Sequence, residues 1–324
     1  MTVLNKATQP TMYFIGVTTK KSSIMKLFPL WADALGLKNT VLKGIDIDIH
    51  ANDEVYQEVV NFIKNDPNSK GALVTTHKID LFNASKDYFD YLDPHASMLN
   101  EISSISKTEN SLEGYAKDPI TSGLAIESFV PNNYWGRDNE VFIMGAGGSA
   151  LAISSYLTDE KHGDNIPHKI IISNRSQERL ISAERILSKI DTSTIFEYKH
   201  CPTPEDNDKI LNNLSESSMV INATGLGKDR PGSPITDRAE FPTGGIIWEL
   251  NYRGELTFMN QALVQKNSAN LHVEDGWVYF IHGWTQVIAE VFQIEIENHF
   301  DELERIAHDF SKTQNNKSST RGDS

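Results

Sequence analysis

Gly145-Ala146-Gly147-Gly148-Ser149-Ala150 follows the apolar run Val141-Phe142-Ile143-Met144 and leads into Leu151-Ala152-Ile153-Ser154-Ser155-Tyr156-Leu157. Strand, glycine turn and helix in this order make a phosphate-binding turn. Gly145 permits the tight turn, Gly147 lets the backbone approach a pyrophosphate, and Ala150 keeps the helix close to the strand. The helix N-terminus that follows offers unpaired N–H groups and the positive end of its dipole. The chemistry implied is dinucleotide binding of the Rossmann type.

A second apolar run, Lys169-Ile170-Ile171-Ile172-Ser173, ends in Asn174-Arg175-Ser176-Gln177-Glu178-Arg179. An NAD site usually places Asp or Glu at this point, to accept hydrogen bonds from the adenosine ribose. Asn174 and Arg175 stand there instead. A carboxylate would repel a 2′-phosphate, whereas a guanidinium binds it through paired hydrogen bonds. Arg179, about one helical turn on, can add a second charge. The expected cofactor is NADP rather than NAD.

These residues need a scaffold of alternating strands and helices. Met12 to Val17 reads as a strand. Ser23 to Leu35 has helical spacing, with Gly36 as its stop. Thr40 to Ile49 reads as a strand, Asp53 to Lys64 as an amphipathic helix, and Gly71 to Thr76 as a third strand ending at His77-Lys78. The alternation implies a mainly parallel sheet. The polar stretch Pro131 to Asn139 is expected to be a linker. Beyond it come Met219 to Thr224, Gly244 to Leu250, a short helix from Phe258 to Gln265, a closing strand at His272-Val273, and an apolar helix opening at Asp275.

The chain has 324 residues and a formal charge of −14. That length accommodates two cores. The acidic surface disfavours nucleic acid and anionic membranes, because phosphate binding rests on Lys and Arg. Cys201 is the only cysteine, so an intrachain disulfide and a cysteine-built zinc site are both excluded. No metal site is expected. Neither a signal-peptide core nor a bilayer-length apolar run is visible, so a cytoplasmic setting is expected. The expected form is a monomer or homodimer.

The ordered set of segments is similar to the shikimate/quinate dehydrogenase family. It comprises residues 16–22 with Leu35-Gly36-Leu37, Gly71 to Lys78, Gly114-Tyr115-Ala116-Lys117-Asp118, residues 145–150, Ser173-Asn174-Arg175-Ser176, Asn222 to Gly227, Asn251-Tyr252 and Asp275-Gly276. Together they span most of residues 12–310. The resemblance implies an α/β fold: an N-terminal α/β substrate domain over residues 11–130 and a Rossmann NADP-binding domain over 137–272. Helices over 273–312 would return to the first domain, with the substrate held between the two. Residues 1–10 and 313–324 are expected to be disordered.

The family's catalytic Lys and Asp match Lys78 and Asp118. Removing hydride from a secondary alcohol requires its hydroxyl proton to leave, and the reverse reaction requires an acid at the developing alkoxide. A Lys whose pKa is lowered by burial can serve, with Asp118 orienting the ammonium or the hydroxyl. Cofactor contacts are expected from Gly145, Ala146, Gly147, Gly148, Ser149, Ala150, Asn174, Arg175, Ser176, Arg179, Ala223, Thr224 and Gly225. Substrate contacts are expected from Ser22, Ser23, Thr75, Ser103, Tyr252 and Gln286.

The recognition residues depart from the family. Leu73 and Ser103 stand where relatives carry Asn, and Ala116 replaces the Asn before the Asp. The run before Lys78 is one residue short and lacks its Pro. The second Ser of the carboxylate motif is displaced, giving Ser22-Ser23-Ile24. The Gln expected in the last helix falls on Gly283, with Gln286 about a turn later. A buried hydroxyl without its partner costs roughly 1–3 kcal/mol, so the loss of two amides should disfavour shikimate by about a hundredfold. The expected activity is NADP-dependent hydride transfer at a secondary alcohol or ketone of a related carbocyclic polyol or hydroxy acid. The alternatives are a non-catalytic NADP(H)- or metabolite-binding regulator on the same fold and a folate-linked Rossmann dehydrogenase.

Overall fold

The computed structural model describes residues 4–49, 51–135, 139–228 and 230–319. The expected boundary at residue 137, part of the expected linker, and the extreme terminal residues lie outside this set. The chain separates into two compact units, Met1–Lys117 with Gly283–Ser324, and Asp118–His282.

The first unit runs β1 (Thr11–Gly16), α1 (Ile24–Ala34), β2 (Val41–Asp46), α2 (Asp53–Asn65), β3 (Ser69–Val74), α3 (Lys78–Ser85), β4 (Tyr91–Leu92), α4 (Pro94–Leu99), β5 (Ser104–Lys107) and β6 (Leu112–Tyr115). Its six-stranded sheet has the order β2-β1-β3-β5-β6-β4. β1, β2 and β3 are parallel, as expected. β5 runs antiparallel to both β3 and β6, while β4 pairs parallel with β6, so the sheet is mainly parallel, as expected, with β5 as its one reversed strand. The cause is a short turn. Thr108 and Ser111 exchange backbone and hydroxyl hydrogen bonds, closing a hairpin where a parallel pair would need a long crossover.

Helix α2 shows why its face is buried. Tyr56, Val59, Val60 and Ile63 recur at helical spacing and pack with Ile15, Ile45, Val74 and Leu81. Helix α4 is set by local chemistry. Pro94 opens it, the Asp93 carboxylate accepts the Ala96 N–H at 2.7 Å, and Asn100 ends it in a left-handed conformation (φ +54°).

The second unit runs α5 (Asp118–Phe129), β7 (Glu140–Met144), α6 (Gly148–Leu157), β8 (Lys169–Asn174), α7 (Gln177–Leu187), β9 (Ile195–His200), α8 (Pro204–Leu211), β10 (Met219–Asn222), β11 (Ile246–Glu249), α9 (Thr257–Gln265) and β12 (His272–Glu274). Its sheet has the order β12-β11-β10-β7-β8-β9, with every pair parallel. This is the doubly wound order of a Rossmann fold, reversing between β7 and β10. Val141, Phe142, Ile143 and Met144 are all fully buried, because helices cover both faces of a parallel sheet.

Two helices complete the chain, α10 (Trp277–Phe292) and α11 (Phe300–Ser319). The unit boundary falls inside α10, between His282 and Gly283, and α5 groups with the second unit. Within the first unit α11 packs on α1, where the Trp31 indole donates to the Leu303 carbonyl at 2.9 Å. Trp284 meets Phe14 edge-on at 5.0 Å. Among the described residues no helix is long and apolar enough to cross a membrane.

Both ends carry structure where they are described. Helix α11 continues past Thr313 to Ser319. At the other end Ala7 is buried, its N–H donating to the Asp66 carboxylate at 2.9 Å and its carbonyl accepting from Asn68. Asp66 is itself buried and also receives Tyr13 Oη and the Asn68 N–H. Burial raises its pKa, but the donors from Ala7, Asn68 and Tyr13 and the charge of Lys107 outweigh it, so the carboxyl titrates below its ordinary value. An ionised Asp66 therefore stabilises the fold above pH ~4, and that contribution fades as pH falls through the lower folded value. Asp66→Ala should cost about 2–4 kcal/mol at pH 7. Denaturation across pH should show the gap from wild type closing below pH ~4.

Candidate functional site

Gly145 ends β7 with φ +116°, and a Cβ there would lie 2.7 Å from the Ala223 carbonyl oxygen. Both facts demand glycine. The Ala223 N–H in turn donates to Met144 O at 2.9 Å, so the chain leaving β10 is fastened beside the glycine turn. Gly147 precedes α6 in an extended conformation, and nothing lies within 4 Å of a Cβ built on it. The first N–H groups of α6, from Gly148, Ser149 and Ala150, have no acceptor within the helix. Ala146 and Ala150 are buried, whereas Gly147, Gly148 and Ser149 are half-buried. The turn thus leaves room beside Gly147, at the start of the helix whose first N–H groups can take a phosphate.

At the end of β8, the Asn174 side-chain oxygen accepts the Ser176 N–H at 2.9 Å. Ser176 caps α7, its hydroxyl accepting from the Arg179 N–H. Arg175 and Arg179 are exposed. The Arg175 carbonyl is held by His200 Nε2 at 3.0 Å, which fixes the backbone and leaves the guanidinium outward. Cys201, next to it, is buried, and burial first, then Asp206, pushes its thiol up to about 11. It is no nucleophile.

Thr224 and Gly225 follow β10. The Thr224 hydroxyl donates to Asn222 Oδ1 at 2.6 Å, and Gly225 lies next to the Arg230 guanidinium. Tyr252 stacks in an aromatic group with Phe280, at 4.4 Å, and Trp277, with Lys228 Nζ 5.4 Å above its ring. Sequence reasoning missed Arg230, Lys228 and the buried Glu249. The available signal for Glu249 was a carboxylate closing an otherwise apolar strand.

In the first unit the expected residues gather beyond the carboxyl ends of β1 and β3. Thr75 donates to the Ile15 carbonyl, and the Lys78 N–H bonds the Thr75 carbonyl at 3.2 Å. Lys78 is half-buried at the start of α3, and its carbonyl accepts from Ile102. Ser22 and Ser23 are half-buried between β1 and α1. Gln286 is half-buried on α10. Leu73 is buried in β3, opposite Phe14 in register. Asp118, the first residue of α5, is buried in the second unit.

Ser103 is tied to backbone. It is 2 % exposed, and its hydroxyl accepts the Lys117 N–H at 2.7 Å and faces the Tyr115 carbonyl. These bonds hold the turn before Asp118. His77, next to Lys78, is also structural. Its Nε2 faces the Ile47 carbonyl at 3.0 Å, so that nitrogen carries the proton and Nδ1 accepts from Tyr56 Oη at 3.1 Å. Burial lowers its pKa, keeping it neutral. A cavity in the first unit, lined by Lys70, Lys107 and Phe292 among others, opens by the start of β3, and Lys78 does not line it.

A shikimate dehydrogenase (NADP(+)) from Methanosphaera stadtmanae is 26% identical over 215 residues, 65% of this chain and 68% of that protein. The one from Streptococcus sanguinis is 25% identical over 187 residues, 56% of this chain and 60% of that protein. The chain is a divergent relative of the shikimate dehydrogenases. The aligned stretch spans about two thirds or less of these relatives. No family model matches. The fold agrees with the solved shikimate 5-dehydrogenase of Thermus thermophilus in complex with NADP(H) and shikimate, with a TM-score of 0.66, 16% identity, and coverage of 93% of this chain and 99% of that one.

The two turn glycines should respond differently to a methyl group. Gly145→Ala should cost about 2 kcal/mol or more, from the left-handed backbone and the clash with Ala223. Gly147→Ala should cost no more than about 1 kcal/mol. Urea denaturation of the two variants against wild type measures both.

Proposed function

We propose that this protein is an NADP(H)-dependent oxidoreductase interconverting a secondary alcohol and a ketone on a small carbocyclic polyol or hydroxy acid related to shikimate and quinate. The observation that carries the reading is the pairing of an open glycine turn before α6 with Arg175, and no carboxylate, at the end of β8. The names of the relatives support it. The second unit is the cofactor domain and the first the substrate domain. No nucleic-acid or membrane partner and a cytoplasmic setting complete the reading, in line with the acidic charge.

The residues present fit the cofactor. Backbone donors of residues 145–150 would hold the pyrophosphate, Arg175 and Arg179 the 2′-phosphate, Asn174 and Ser176 the adenosine ribose, and residues 223–225 the nicotinamide half. Bound there, the nicotinamide supplies hydride chemistry. Lys78 takes the hydroxyl proton on oxidation and returns it on reduction. Asp118 orients the group that carries that proton. Ser22, Ser23, Thr75, Tyr252 and Gln286 are the substrate contacts in this reading. Leu73 puts an apolar surface where relatives carry an amide, which argues against shikimate as the preferred substrate. Retention of both Lys78 and Asp118 favours an enzyme over a regulator.

Arg175→Ala should weaken NADPH far more than NADH, since only the former carries the 2′-phosphate. Fluorescence titration of both cofactors measures this, and equal losses would remove Arg175 from the reading. Catalysis is tested by following NADPH oxidation over a panel of cyclic keto acids, and shikimate oxidation with NADP+, which should be about a hundredfold slower than turnover of the preferred member. On that member, Lys78→Ala should lose ~10²–10⁴-fold in single-turnover hydride transfer, with NADPH affinity unchanged. A folded variant with near-normal transfer would exclude Lys78 as the acid–base group.

A further inference from the structure

Glu249 closes β11 with none of its surface exposed. Its carboxylate accepts three N–H donors: Asn222 Nδ2 at 2.8 Å, the Asn251 backbone at 2.9 Å and Asn251 Nδ2 at 2.7 Å. Above about pH 7, the value to which burial pushes this carboxyl, the group is ionised and only accepts. Each amide must therefore turn its nitrogen toward Glu249. The Asn222 oxygen is then left facing Thr224, where it accepts the backbone N–H at 3.0 Å and the hydroxyl at 2.6 Å. The Thr224 oxygen in turn accepts the Leu226 N–H at 3.2 Å. From the other side, Asn251 Nδ2 reaches the carbonyls of Leu226, at 3.1 Å, and Thr224, at 3.4 Å. Both faces of the turn after β10 are thus tied to one buried carboxylate through two amides of fixed orientation.

We propose that Glu249 is a positioning residue, whose carboxylate sets the direction of the Asn222 and Asn251 amides and thereby fixes the Thr224–Leu226 turn beside the glycine turn of the cofactor domain. Its consequence for ligand binding rests on the reading of residues 223–225 as cofactor contacts. Burial pushes the carboxyl up to about 7, against the pull of the Asn251 and Asn222 donors, while Asp275 adds to the rise. A carboxylate kept in so unfavourable a place must be held by those donors, and removing its acceptor character should scramble them.

Glu249→Gln keeps the shape and reverses one end. The new amide nitrogen faces donors, and relieving that conflict on the Asn222 side flips Asn222, which then presents N–H to N–H at Thr224. Amide exchange over residues 223–227 of the free protein should accelerate about tenfold, with β7 and β8 unchanged, and NADPH should bind about tenfold more weakly. The second variant restores polarity. In Glu249→Gln with Asn222→Asp, the introduced amide nitrogen donates to the introduced carboxylate, and that carboxylate accepts from Thr224. The introduced amide oxygen accepts from Asn251. Every bond regains a donor and an acceptor, so protection and affinity should return to within about threefold of wild type. Asn222→Asp alone sets two carboxylates together and should be the worst of the three. Unchanged exchange in Glu249→Gln, or a double variant no better than that single one, overturns the proposal. If wild type binds no NADPH, the cofactor reading fails while the exchange measurement still decides the relay.

Discussion

A parallel strand can pair with its neighbour only if the chain is carried back across the sheet, so every such strand releases its chain at the same edge. Most of the candidate residues follow from that constraint. Ser22, Thr75 and Lys78 lie just beyond β1 and β3, and Gly145, Asn174, Thr224 and Tyr252 just beyond β7, β8, β10 and β11. The second sheet reverses its winding between β7 and β10, where the crossing helices part and leave room at the strand ends. Gly145 and Ala223 occupy that position, close enough that no side chain fits on the former.

Polar groups near these strand ends are ordered by backbone demand before they are available to a ligand. Ser103, Ser176 and Asn174 each use a side-chain oxygen on a nearby N–H. Those contacts set the turns that aim other residues, such as Arg175 and Lys117. Lys117 forms an ion pair with Glu290 and lies 4.9 Å from the centre of the Tyr115 ring, which ties the end of β6 to α10 within the first unit. A polar side chain at a strand end thus divides into two kinds. Some hold the chain, and others are held by it and face outward.

The sequence disclosed what burial and periodicity write plainly. β7 from Val141 to Met144 and β8 from Ile170 to Ile172 are apolar because both faces are covered, and α2 carries its core at helical spacing. β5, Ser-Ile-Ser-Lys, and β6, Leu-Glu-Gly-Tyr, carry no such run, and the Ser106 hydroxyl is satisfied by the Glu290 carbonyl far along the chain. β9 is an edge strand with polar residues on both sides, so it too lacked a pattern. In the site, the glycine turn and Arg175 were legible because their chemistry is local. The burial of Ser103 was not legible, because a buried hydroxyl and an exposed one look alike in sequence. The role of Glu249 was not legible from its carboxylate alone, because its partner Asn222 lies 27 residues away and only register brings them side by side.

The Trp31–Leu303 bond joins residues 272 apart in the chain, and the whole second unit lies between them in sequence. Synthesis on the ribosome runs from the N-terminus, so α1 emerges long before α11 exists. The second unit is contiguous and can fold as soon as its own strands are out. The first unit must wait with the apolar face of α1, including Trp31, uncovered until the final helix arrives. The part of the chain made first is therefore the last to be finished. During that interval its exposure to chaperones and proteases is set by the rate of translation rather than by the stability of the completed fold.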